Sequence, residues 1–123
     1  MIELHLPFPP SQNHLWQRAK KGMRKTERYQ AWLEEAGWTA KAQLAPGTRI
    51  DRPYVLSVQA LRPDKRRRDL DNFGFKAVSD LLVGLGVITD DSLCEMLSAR
   101  WVTVGGEGVL VRIWPAATEM EAN

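Results

Sequence analysis

The stretch Arg62-Pro63-Asp64-Lys65-Arg66-Arg67-Arg68-Asp69-Leu70-Asp71-Asn72 sets five basic residues within seven positions directly before two aspartates. A basic run alone reads as a solvated loop between a strand and a helix. The spacing of the aspartates argues for more. Two residues apart on a regular helix, their side chains would point about 200° apart. In extended backbone they point to the same side. They stand just ahead of an expected helix, whose N-terminal end favours ionised carboxylates. Both can therefore converge on one point. The alternative is that Asp71 caps that helix while Asp69 pairs with an arginine. Two ionised carboxylates facing one point repel each other unless a cation lies between them. With one cysteine and two histidines in the chain, an all-oxygen site suits Mg²⁺ or Mn²⁺.

A third carboxylate can reach the same place. A helix from about Asn72 to Leu85 carries the chain roughly 21 Å away from the aspartates. Gly86-Val87-Ile88-Thr89-Asp90-Asp91 is Gly-led and β-branched, and six extended residues return about 20 Å. Asp90 or Asp91 can then sit beside Asp69 and Asp71, the other being an exposed acidic turn. Basic residues position a phosphate backbone. Carboxylate-bound metal ions activate water and stabilise a leaving oxygen. A passive binder gains nothing from aspartates that repel phosphate, so the pattern favours a nuclease.

The elements that must position these groups follow from periodicity. Ile2-Glu3-Leu4-His5-Leu6 alternates as a strand, ended by Pro7, Pro9 and Pro10. About nineteen residues without a clear period follow, to Lys25, a long loop of the kind that carries function. A helix is expected over Thr26 to Leu44, with Tyr29, Trp32, Leu33, Ala36 and Ala40 on one stripe and Pro46-Gly47 beyond it. Tyr54 to Leu61 is a strand. The second helix has Phe73, Ala77, Val78, Leu81, Leu82 and Leu85 as its stripe, and Gly84 and Gly86 mark its end. Strands near Glu95–Val104 and Val109–Trp114 are expected to form a hairpin through Gly105-Gly106-Glu107-Gly108. The fold class is thus α/β (α+β): one mixed sheet in the order β-α-β-α-β-β, with helices on one face. Residues 1–115 form a single domain, and 116–123 a frayed tail.

The 123 residues, 44% hydrophobic and 26% charged, suit one globular domain and exclude a disordered or fibrous chain. No apolar run approaches the roughly 18 residues that span a bilayer. Met1 to Pro10 lacks a secretory pattern, and the lone Cys94 fits a reducing compartment. A cytoplasmic protein with no membrane partner and no organic cofactor is expected. The net charge of +2 hides an asymmetry. Residues 1–68 hold 14 Lys+Arg against 6 Asp+Glu, and residues 69–123 hold 3 against 9. Such a split points to a polyanionic partner. In the long loop, Lys20, Lys21, Arg24 and Lys25 follow Trp16 and Arg18, a set suited to clamping a nucleic-acid backbone or stacking on its bases. Asn13 either positions substrate or caps a turn. Trp38 and Trp101 read as packing or dimer contacts.

At these residues the chain resembles the RusA family of Holliday junction resolvases of bacteria and lambdoid prophages. The matching pattern is Arg66-Arg67-Arg68-Asp69-Leu70-Asp71-Asn72, Lys76-Ala77, Asp80-Leu81-Leu82, Gly86-Val87-Ile88 and Asp90-Asp91, with Pro7-Phe8-Pro9-Pro10-Ser11-Gln12-Asn13 as the opening loop. The resemblance implies a homodimeric, Mg²⁺-dependent endonuclease that makes paired nicks across four-way junction DNA. It places the essential aspartates on Asp69, Asp71 and Asp91 and the important lysine on Lys76, and Asp90, beside Asp91 in sequence, would assist in holding the metal. Lys65, Arg66, Arg67, Arg68, Asn13 and the basic loop would hold the junction arms. Between Asn72 and Lys76 lies Phe73-Gly74-Phe75, one residue more than the common family spacing. A bulge at Gly74 would absorb the roughly 100° rotation that the extra residue introduces in a helix. The competing readings are a non-catalytic DNA-binding or replication-accessory protein of this fold, and a metal-dependent RNase.

Overall fold

Alternation of apolar residues builds a four-stranded sheet. A computed structural model describes residues 1–61, 70–102 and 106–117. In it β1 (Ile2–Leu6), β4 (Tyr54–Leu61), β5 (Cys94–Val102) and β6 (Gly108–Pro115) lie in the order β1-β6-β4-β5. β6 is antiparallel to both β1 and β4, and β5 is parallel to β4. The register stacks three rows on the core face: Ile2–Ile113–Leu56–Leu97, Leu4–Val111–Val58–Ala99, and Leu6–Val109–Ala60–Trp101. β4 lies inside the sheet and shows the clean inward alternation Tyr54, Leu56, Val58, Ala60.

Helix α1 (Glu27–Gln43) lies over β1, and α2 (Phe75–Gly84) lies against α1. Thr26 caps α1 as its sequence suggests: its Oγ1 accepts the Tyr29 N–H at 3.1 Å and donates to the His14 carbonyl at 2.6 Å. Tyr29, Trp32, Ala36 and Ala40 are buried at helical spacing, and from α2 so are Ala77, Val78, Leu81 and Leu82. The mixed sheet with two helices is the expected α+β class.

Three expectations need correction. The loop before Lys25 is not structureless. After a 3₁₀ turn at Gln12–His14, strands β2 (Trp16–Ala19) and β3 (Gly22–Lys25) form a separate two-stranded hairpin. Gly22, at φ +90°, turns the chain back. Basic and apolar residues mix along these exposed strands, so no one-sided alternation marks them. Second, β5 and β6 are not a hairpin, because β4 lies between them. The buried β4 is thus inside the sheet and β5 at one edge. Third, the second helix begins at Phe75, not near Asn72. Leu70–Asn72 is a separate 3₁₀ turn, and Gly74 rather than Asp71 is the N-cap residue. Of the tail, residues 118–123 lie outside the described residues, and Ala116 still donates its N–H to the Pro53 carbonyl at 2.8 Å. No helix among the described residues is long and apolar enough to cross a membrane.

Candidate active site

Gly74 fixes the entry to α2. A Cβ there would collide with the Pro10 carbonyl and crowd Pro9, so the Pro-rich loop lies directly on the backbone ahead of the helix. Gly74 has no side chain to cap with, and α2 has no side-chain cap of its own. Gln12 supplies one from the loop: its Oε1 accepts the Lys76 N–H at 3.2 Å. The loop is tied to α1 as well, through Trp32 Nε1 donating to the Pro7 carbonyl at 2.9 Å. Phe73 and Gly74 lie in the break between the 3₁₀ turn and the helix, so the chain is irregular at Gly74.

Lys76 is consequently aimed at acid. Its Nζ lies 2.6 Å from Asp91 Oδ2 and 3.3 Å from Asp80 Oδ1. Asp91 arrives by the expected return of the chain. Gly86 turns at φ +75°. Val87 and Ile88 are buried, and Ile50 pairs with Ile88 in a short parallel bridge. Asp91 then opens a 3₁₀ turn, Asp91–Leu93. Asp90 serves as that turn's N-cap, its Oδ1 accepting the Ser92 N–H at 3.0 Å. Of the two aspartates, it is Asp91 that meets Lys76.

The pairing sets the charge states. The hydrogen bond from Lys76, then its charge, holds the Asp91 carboxyl below the usual carboxylate range. The hydrogen bond to Asp91 pushes the Lys76 ammonium up, against a partial desolvation. The second carboxylate, Asp80, accepts a 2.5 Å hydrogen bond at Oδ2 from the Tyr29 hydroxyl. Burial, then that hydrogen bond, pushes the Tyr29 phenol well above its ordinary range. Tyr29, Asp80 and Gln12 were not among the expected site residues. Tyr29 reads in sequence only as core stripe, and nothing in the spacing of Gln12 announces a helix cap 64 residues away.

Beside this cluster an aromatic wall rises. Phe8 meets Phe73 edge-on at 5.6 Å between centroids, and Phe73 meets Phe75 at 4.9 Å. Trp101 lies nearly parallel to Phe8 at 6.1 Å, consistent with a packing role. Trp38 instead stands 70% exposed with Lys41 above its ring, and so does not pack in the core. A cavity of about 830 Å³ opens between the Pro-rich loop, α1 and Asn72–Gly74, with Arg28 and His14 on its walls.

On the β2–β3 hairpin, Arg18, Lys20, Lys21 and Arg24 line one shallow, exposed depression. Trp16 is half-turned to the body: its ring contacts Tyr29 edge-on at 6.1 Å, with Lys25 Nζ 5.6 Å above it. Asn13 sits exposed in the Gln12–His14 turn. Lys65, Arg66, Arg67, Arg68 and Asp69 lie outside the described residues, as does the Asp71 side chain. Among the described residues no group of three His, Cys, Asp or Glu is placed to hold a metal. Two of the three expected ligands are outside that set.

A family model described as "Endodeoxyribonuclease RusA" matches residues 7–114. The chain belongs to the RusA family. A relative from Aquifex aeolicus, named crossover junction endodeoxyribonuclease RusA, is 31% identical over 93% of this chain and 91% of its own. One from enterobacteria phage HK97 bearing the same enzyme name is 30% identical over 95% and 93%. One from Escherichia coli K12 is 33% identical over 71% of each chain. The RusA match begins at Pro7 and ends at Trp114, so it takes in the Pro-rich loop, both helices and the carboxylate-bearing turns.

Proposed function

We infer that the chain is a crossover junction endodeoxyribonuclease that resolves four-way DNA junctions by phosphodiester hydrolysis. The observation that carries this is the approach of Asp91 to Lys76 at 2.6 Å. It brings a carboxylate from the far end of α2 back to the helix start, just after the turn that contains Asp71. The relatives' names support the same reading.

The donors fit a hard divalent ion. Asp91 is ionised and partly exposed, and the carboxylates that would join it offer oxygen only. Asp69, Asp71 and Asp91 would hold Mg²⁺ or Mn²⁺, with Asp90 alongside. When bound, the ion supplies water activation and charge neutralisation at the phosphodiester. Lys76 contributes a cation beside the developing phosphate charge. Lys65, Arg66, Arg67 and Arg68 grip the backbone near the cut. Lys20, Lys21, Arg24 and Lys25, with Trp16 and Asn13, hold an arm further out. A C₂ homodimer would present two equivalent sites to two strands of one junction.

The test is cleavage of a synthetic four-way junction, a linear duplex and a structured RNA with Mg²⁺ or with EDTA. Junction-selective cutting that needs the metal is expected. Asp71→Asn should bind the junction and fail to cut it. Normal cutting by that variant would remove Asp71 from the metal site, and binding without cutting by the wild type under every divalent metal would favour the accessory-protein reading.

A further inference from the structure

Lys76 is held by two carboxylates, and only one of them belongs to the expected metal site. Asp80 stands one helical turn after Lys76 on α2, and its Oδ1 lies 3.3 Å from the ammonium. Its other oxygen is taken by a residue of a different helix, through the 2.5 Å bond from the Tyr29 hydroxyl. Tyr29 is fully buried on α1. Its phenol is kept protonated by burial and by Asp80 itself, so it acts as a donor. The carboxylate of Asp80 is thereby divided between a fixed anchor and the lysine.

A divalent ion at Asp91 would repel the ammonium that now lies against it. A lysine released from Asp91 has four rotatable carbons and a strongly hydrated head, and with no second partner it swings into water. We propose that Asp80, anchored by the Tyr29 hydroxyl, is a positioning residue that retains Lys76 beside the reacting phosphate once Asp91 is committed to metal. The proposal rests on the junction-cleavage reading above. It differs from a purely structural α1–α2 tie in one respect. A tie affects stability alone, whereas a retaining partner affects the chemical step and the competition between lysine and metal for Asp91.

The experiment uses the full chain with Tyr29→Phe, Asp80→Asn and Asp80→Glu. Three quantities are measured: junction affinity, the single-turnover cleavage rate at saturating junction, and Mn²⁺ affinity of the protein without DNA by calorimetry. Tyr29→Phe removes one hydroxyl from an otherwise unchanged ring, so its fold is retained. Its cleavage rate should fall on the order of tenfold with junction affinity unchanged, the size expected for losing one charge-assisted hydrogen bond. Asp80→Asn should fall further. It should also bind Mn²⁺ several-fold more weakly, because Lys76 then has only Asp91 to pair with. Asp80→Glu should recover part of both losses. Variants that melt earlier but keep the wild-type cleavage rate and Mn²⁺ affinity overturn the positioning role and leave the junction-cleavage reading standing. A wild-type protein that neither cuts junctions nor binds Mn²⁺ overturns that reading and this inference with it.

Discussion

Gln43 covers the β1 edge of the sheet at His5. The His5 N–H donates to Gln43 Oε1 at 2.8 Å, and Gln43 Nε2 donates to the His5 carbonyl at 2.7 Å. One side-chain amide at the last residue of α1 thus imitates a neighbouring strand. Open edges invite pairing between chains, and covering them is a common defence. Gln43→Ala should cost about 1 kcal/mol in urea unfolding, the usual net worth of such bonds. It should also raise concentration-dependent association in sedimentation. Unchanged values in both measurements would show that the amide is incidental.

Which parts of this molecule can be read from its sequence follows from the range of the interactions. α1 is legible because Thr26, the Tyr29–Ala40 stripe and Pro46-Gly47 act within a few residues of one another. β4 is legible over Tyr54–Leu61 because one face alternates into the core. The neighbour of β6 is not legible. Val109, Val111 and Ile113 would bury equally well against β5 or β4, and only the completed sheet decides. The β2–β3 hairpin is hidden because none of its residues alternates into a core. At the site, the return of Asp90 and Asp91 towards the helix start follows from length and Gly86, but which of the two meets Lys76 does not. The Tyr29–Asp80 bond spans 51 residues and leaves no local trace.

Gly74 is the most intolerant position near the site. A methyl group there must displace the Pro10 backbone, and overpacking of this kind costs about 1–3 kcal/mol. Gly74→Ala should lower the urea midpoint accordingly. It should also reduce junction cleavage more than junction binding, because the displaced loop carries Gln12 away from the Lys76 N–H. Wild-type stability in this variant would mean that the loop yields freely.

The hairpin's contribution to DNA binding should show in salt dependence. Lys20, Lys21 and Arg24 are exposed and share one depression with Arg18. Each phosphate contact removed lowers the slope of log affinity against log salt by about 0.9. Replacing Lys20, Lys21 and Arg24 by alanine should flatten that slope and weaken binding to junctions of any sequence alike. An unaltered slope would assign backbone contact to the Lys65–Arg68 run alone.

The Lys76–Asp91 pair predicts a specific pH profile of stability. The Lys76 value is raised from 10.5, chiefly by its hydrogen bond to Asp91. Its contribution is complete below pH 10.5 and is lost as pH climbs through the higher folded value. The Asp91 value is lowered from 3.8, chiefly by the hydrogen bond from Lys76. Its contribution is complete above pH 3.8 and is lost as pH falls through the lower folded value. The stability difference between wild type and Lys76→Gln should therefore be level between those limits and shrink beyond each. Its size should be about 0.5 kcal/mol, as for other partly exposed pairs. A difference that slopes between pH 5 and 9 would show that another group dominates.

The strand order has a consequence for how the enzyme comes into being. β6 inserts between β1 and β4, so Ile2 waits for Ile113 and Leu56 waits for the same residue. During translation the acidic and basic side chains of the site all emerge from the ribosome while the middle of the sheet is still missing. Closing such distant pairings is the slow part of folding. A chain of this design cannot complete its sheet until the residues of β6 are available to pair with both β1 and β4.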